Sequence, residues 1–139
     1  MKIISVSDVE LIAFKLARET MNFNEPIPGF STRFANKLES CVAAPFQLFA
    51  RKPLYKGLTG KAAMLFYLMI KNHPFQNGNK RIAMTTLLTF LYLNKKWIKV
   101  DTYELYDFAM WVAQSPPSVK NDTMIAIEKF IKKHLVALG

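Results

Sequence analysis

The stretch that most constrains this chain is Asn79–Leu93, NKRIAMTTLLTFLYL. After Arg81 it is apolar on nearly every face of a helix. Such a helix cannot lie on a surface, because it needs neighbours on all sides. A second oily run, AAMLFYLMI from Ala62 to Ile70, precedes it. That run is about half the length a membrane span requires, so the rest of the chain has to bury both. Its size allows this: 139 residues, 51% of them hydrophobic, suit one domain with a real core.

The remaining sequence supplies the neighbours as helices. SDVE at Ser7–Glu10 has the form of a capping box and opens a first helix to about Thr20, with Leu11 and Phe14 facing the core. Asn22–Ser31, with two prolines and a glycine, is a connector. A second helix is expected from Ser31 or Thr32 to about Ala43. Pro45–Gly57, PFQLFARKPLYKG, mixes aromatics, cations and prolines and reads as a surface loop or short hairpin. The two apolar helices follow, from about Thr59 to Lys71 and from about Asn79 to Leu93. DTYE at Asp101–Glu104 resembles another capping box and starts a helix to about Gln114. SPPS at Ser115–Ser118 breaks the chain. A last helix runs from about Asn121 to Leu138, with Met124, Ile127, Ile131 and Leu135 on one face. Only isolated short strands fit. The expected fold is all-α: one domain of about six helices around a central buried helix.

Nineteen Lys and Arg against ten Asp and Glu give a net charge of +9. Such a charge favours polyanionic partners without choosing among them. Neither a recognition-helix pattern nor a basic stripe stands out, so nucleic acid is not the expected partner. The single cysteine, Cys41, excludes an internal disulfide and a multi-cysteine zinc site. The N-terminus, MKIISVSDVE, lacks the apolar run and small-residue cleavage site of a signal peptide. These features predict a soluble, cytoplasmic protein. Trp97 and Trp111 are expected to pack, His134 to end the last helix, and Lys95, Lys96 and Lys99 to form a solvated turn.

Between the two apolar helices lies NHPFQNGNKR, Asn72–Arg81, a dense polar stretch at the oiliest point of the chain. It leads into a helix N-terminus, where four amides lack intrahelical partners and the dipole adds positive character. That makes an anion site. Gly78 lets a phosphate approach the backbone closely. Asn79 can cap and donate. Lys80 adds charge, and Arg81 can grip phosphate oxygens as a fork. His73 suits general-base work. Phe75 anchors the loop in the core.

HPFQNGNKR resembles the Fic/Doc family signature, His-Pro-Phe-x-(Asp/Glu)-Gly-Asn-(Gly/Lys)-Arg, at His73, Pro74, Phe75, Gly78, Asn79, Lys80 and Arg81. FNEPIPGF and STRFANKLESCVAAP are similar to the front half of the Doc, or death-on-curing, toxins. The resemblance extends over about residues 3 to 115. It implies transfer of part of ATP onto a Ser, Thr or Tyr hydroxyl of a target protein: AMP in the Fic branch, phosphate in the Doc branch. Carried over, His73 deprotonates the hydroxyl, Gly78 and Asn79 form the anion hole, and Arg81 holds the outer phosphates. Lys80 matches Doc and Gly78 matches Fic, while the chain length favours Doc. The Doc resemblance further implies elongation factor Tu as a target and an acidic antitoxin that lays a helical tail near the site. No inhibitory Ser/Thr-x-x-x-Glu-Gly/Asn helix of the Fic type is visible, which points to inhibition in trans. A target-docking flap, which the resemblance implies, would fall at about Leu48–Gly57, with Arg51, Lys52 and Tyr55.

The departure is Asn77, where the family usually has the Asp or Glu that binds Mg²⁺. An amide offers one neutral oxygen, and Mg²⁺ prefers carboxylate and phosphate. Weaker metal binding is therefore expected, with Lys80 taking over part of the cation's work. A second reading follows: a degenerate Fic-fold module that binds a nucleotide or a protein without turnover.

Overall fold

Six helices and two short antiparallel ribbons make up residues 1–20 and 26–138, the part of the chain that this computed structural model describes. Helix α1 is continuous but not uniform: an α-turn at Val6–Asp8, a π-helical stretch at Val9–Phe14, then α-helix at Lys15–Thr20. A 3₁₀ turn at Phe30–Thr32 precedes α2 (Ala35–Ala43), and another at Ala44–Phe46 follows it. Strands β1 (Leu48–Phe49) and β2 (Lys52–Pro53) form a hairpin. Next come α3 (Gly57–Lys71), α4 (Asn79–Leu93), β3 (Lys96–Ile98) and α5 (Thr102–Gln114). A 3₁₀ turn at Pro117–Val119, α6 (Lys120–His134) and β4 (Leu135–Ala137) complete the chain. The all-α expectation holds. No helix among the described residues is long and apolar enough to cross a membrane.

The two apolar helices form the centre. Every residue from Ala62 to Ile70 is buried, and α4 is buried from Arg81 to Leu91 except at Leu88. Helix α6 runs antiparallel along α3: Thr59 donates to Glu128 at 3.0 Å, and the Lys120 ammonium sits over the Tyr67 ring. Phe66, Phe108 and Phe130 stack in a column through α3, α5 and α6, with centroids 6.3 and 4.1 Å apart. Lys71 ends α3 by donating to the carbonyls of Ala113 and Ser115. Each fully buried Leu, Ile or Phe contributes about 1.5–3 kcal/mol, so this centre carries most of the fold.

Several local expectations shift. The capping box forms two residues earlier than SDVE predicts. Ser5 accepts from the Asp8 amide, and Asp8 accepts from the Ser5 amide. The π-helical stretch then turns Val9, Ala13 and Phe14 inward and leaves Leu11 62% exposed, so Phe14 faces the core and Leu11 does not. The connector predicted over Asn22–Ser31 lies outside the described residues at positions 22–25. Helix α2 begins at Ala35 rather than Ser31 or Thr32, because residues 30–32 form their own turn. Helix α3 starts two residues early, at Gly57. Asp101 is the N-cap of α5, but its side chain makes no capping bond. Helix α6 stops at His134, not Leu138, because Leu135–Ala137 leaves as a strand and pairs with Ile98–Lys96. Lys96 therefore lies in a strand, not a turn. Trp111 stacks on Phe108 but is 48% exposed, so it packs on one face only.

Candidate active site

The connection between α3 and α4 is the polar loop 72–78. Phe75 fixes it from below: it is 3% exposed and packs against Phe14 and Phe30, with centroids 5.7 and 6.0 Å away. Asn79, the first residue of α4, clips the loop from above. Its side-chain oxygen accepts from the Phe75 amide at 2.9 Å, and its Nδ2 donates to the Phe75 carbonyl at 2.8 Å. Both polar atoms of Asn79 thus hold the loop's shape. The same Nδ2 stands 3.5 Å from His73 Nδ1, at the outer limit of a hydrogen bond.

His73 is exposed and has φ of +48°, a left-handed conformation that a non-glycine residue adopts only when its surroundings impose it. Pro74 follows it, and the Pro74 carbonyl accepts from the Phe34 amide at 2.9 Å. A histidine is thus held at the solvent-facing edge of a clamped loop, beside the first turn of α4. There the Gly78 carbonyl accepts from Ile82, and the amides of Asn79, Lys80 and Arg81 lie in the turn that lacks intrahelical acceptors. Lys80 is half-buried, and Arg81 is 2% exposed. His73, Asn79, Lys80 and Arg81 therefore cluster at one end of the buried helix pair.

Gly78 differs from the sequence expectation. Its φ is +77°, and a Cβ there would stand 2.8 Å from Ile27 Cγ1 and 3.3 Å from Arg81 Nη2. Its bare face is thus occupied by Ile27 and the Arg81 guanidinium, not open to a phosphate. The glycine is required for its conformation and for this close approach.

Residues 26–34 cover the loop, and sequence reasoning missed them. Ile27 packs on Gly78, Phe30 on Phe75, and Phe34 bonds to Pro74. The hairpin expected as a flap leads into the first turns of α3. Lys61 donates to the Tyr55 carbonyl, which places Tyr55 against the first turns of α3. His73 follows the last turn of α3, and a 15-residue helix is about 22 Å long. Tyr55 thus lies at the end of α3 away from His73, while Arg51 and Lys52 are exposed in the ribbon that leads into it. Signals were present in the sequence: a Pro-Gly connector flanked by Ile27 and Phe30 is an apolar strap. Its partner in space is not written there.

The openings follow the same division. A cavity of about 470 Å³, lined by Asn36, Lys37, Ser40 and Asn72, adjoins the loop. Another, about 680 Å³, lies beside Leu54, Tyr55 and Lys56 at the other end of α3. Cys41, under the loop's first residue, donates to the Leu68 carbonyl. Burial pushes its thiol up to about 11, although Asn72 and Lys37 pull the other way.

The Mg²⁺ that the resemblance implies does not fit the residues described. Asn77 Oδ1 accepts from the Gly78 amide at 2.8 Å, and Nδ2 donates to the Pro26 carbonyl at 3.2 Å. A neutral oxygen already holding a proton donor is a poor ligand for a hard cation. Among the described residues no group of three or more His, Cys, Asp or Glu gathers to hold a metal.

No curated protein and no solved structure matches the chain. The model of the Fic/DOC family matches residues 4–91, which takes in α1 to α3, the whole polar loop and α4 as far as Leu91. That span is more than half of the chain and includes the histidine, the clamped loop and the helix N-terminus just described, and the chain belongs to the Fic/DOC family.

Proposed function

We propose that this protein transfers a phosphate or an AMP group from ATP to a Ser, Thr or Tyr hydroxyl of a target protein, as a Doc-like toxin held in check by an acidic antitoxin. Members of the family are in general transferases that use ATP and Mg²⁺ and act on proteins. The observation that carries the reading is the placement of an exposed histidine beside the N-terminal turn of α4. His73 takes the hydroxyl proton, and the oxygen attacks a phosphorus of ATP. Attack at the γ-phosphorus releases ADP; attack at the α-phosphorus releases pyrophosphate. The amides of Asn79, Lys80 and Arg81, with the Lys80 ammonium, stabilise the charge on the transferring group. The target segment enters beside residues 26–34, the part of the chain packed against the loop. Elongation factor Tu is the target that the Doc resemblance suggests, and the +9 charge suits an acidic antitoxin.

Incubation with α- and γ-labelled ATP and a cell lysate tests this. The label that reaches protein identifies the group transferred, and His73→Ala should lower labelling by at least about 100-fold. If neither label marks any protein, and expression of His73→Ala is as toxic as wild type, the reading fails. The engaged amide of Asn77 favours a second reading, a binding module without turnover. Labelling seen only with Asn77→Asp would support it.

A further inference from the structure

Asn77 is where this chain lacks the family's usual carboxylate, and its side chain is used at both ends. Nδ2 donates to the Pro26 carbonyl across 51 residues of sequence, and Oδ1 accepts from the adjacent Gly78 amide. An amide donates and accepts at once; an ionised carboxylate accepts only. An aspartate here would keep the bond to Gly78 but turn an anionic oxygen toward the Pro26 carbonyl, replacing a tie with repulsion. The residue after Pro26 is Ile27, 9% exposed, whose side chain fills the space in front of Gly78 next to Arg81. Whatever holds Pro26 therefore also sets the wall of the cradle at the start of α4.

We propose that Asn77 is a positioning residue, a latch that ties the Pro26–Phe34 strap to the loop, and that this latch replaces metal ligation at the position. The cradle is then shaped by hydrogen bonds within the chain and takes a nucleotide phosphate without a divalent cation held by residue 77. The second half of this inference rests on the anion-site reading under Proposed function; the latch itself does not.

Two measurements on the full chain test it. In hydrogen exchange read by mass spectrometry, N77D and N77A should expose residues 26–34 and 76–81 about tenfold faster, the factor for one lost tie of ordinary strength. Residues 62–70 of α3 should keep wild-type protection. Wild-type protection of 26–34 in N77D overturns the latch. So does an equal loss of protection throughout 62–70, which would make Asn77 a prop of the whole fold. Calorimetric titration with ATP, in EDTA and in excess MgCl₂, tests the metal. Wild-type affinity should change less than about twofold between the two, and N77D should bind about tenfold more weakly in EDTA because a negative charge now faces the phosphate. A tenfold gain by wild type on adding Mg²⁺ overturns the replacement of metal ligation. If ATP binds in neither condition, the transferase reading fails, and the exchange result still decides the latch.

Discussion

At the scale of single residues, Gly78 is under the tightest constraint. Its left-handed φ of +77° costs an L-residue about 1–2 kcal/mol. The added Cβ also meets Ile27 at 2.8 Å. Gly78→Ala should therefore lower stability by about 2–3 kcal/mol in urea titration. Pairing it with Ile27→Ala should cost less than the sum of the two single changes, since both act on one contact. Additive losses would show that the two do not touch. Cys41 gives a second test, this time in pH. Its thiol is raised from 9.0 to about 11 by burial, so the unfolded chain gives up the proton first. Its contribution is intact below about pH 9 and is lost as pH rises toward 11. Wild type should lose more stability than Cys41→Ala across that window, and the native thiol should react slowly with iodoacetamide at pH 8. The motif was legible as a pattern of residue types, with His73, Lys80 and Arg81 in it, but the use of Gly78's bare face was not, because Ile27 fills it. Nor were the roles of Asn77 and Asn79. Their partners are the backbone atoms of Pro26 and Phe75, and the bond to Pro26 spans 51 residues.

At the scale of elements, apolar periodicity located the helices, and their ends and phases were lost wherever backbone geometry departs from the regular. Val9–Phe14 winds as a π-helix, so 3.6-residue spacing puts Leu11 on the wrong face. Leu135–Ala137 continues the apolar pattern of α6 but leaves it to pair with β3, an exchange that a short apolar run cannot announce. The hairpin of β1 and β2 turns through Ala50 and Arg51, with φ of 52° and 64°. A two-residue turn with both φ values positive calls for Asn-Gly, and Ala and Arg sit in it at a cost. Replacing the pair, Ala50→Asn with Arg51→Gly, should raise stability by about 1 kcal/mol in thermal unfolding. No gain would mean that the turn does not hold this conformation in solution.

At the scale of the whole molecule, the chain is organised around one helix, and its polar site is a consequence of that. Helix α4 is enclosed along nearly its full length, so it offers polar chemistry only where it begins, and there the chain places the loop 72–78. The fold class was legible because an all-round apolar helix admits few solutions. The position of the strap was not, because it depends on how residues 26–34 cross the loop. The enclosure can be weighed by comparing two leucines. Leu87 is 1% exposed within α4, and Leu48 is 63% exposed on the hairpin. Leu87→Ala removes buried methylenes and leaves a cavity that rigid neighbours only partly fill, for a cost of about 3–5 kcal/mol. Leu48→Ala removes side chain already in water, for a change within about 0.5 kcal/mol. Chemical denaturation of both variants checks the contrast. Because α4 also carries the cradle, Leu87→Ala should weaken binding of ATP only as far as it unfolds the chain, so binding per folded molecule should match wild type. A Leu87→Ala protein that is fully folded but no longer binds would mean that the core and the site are coupled through α4, not merely joined by it.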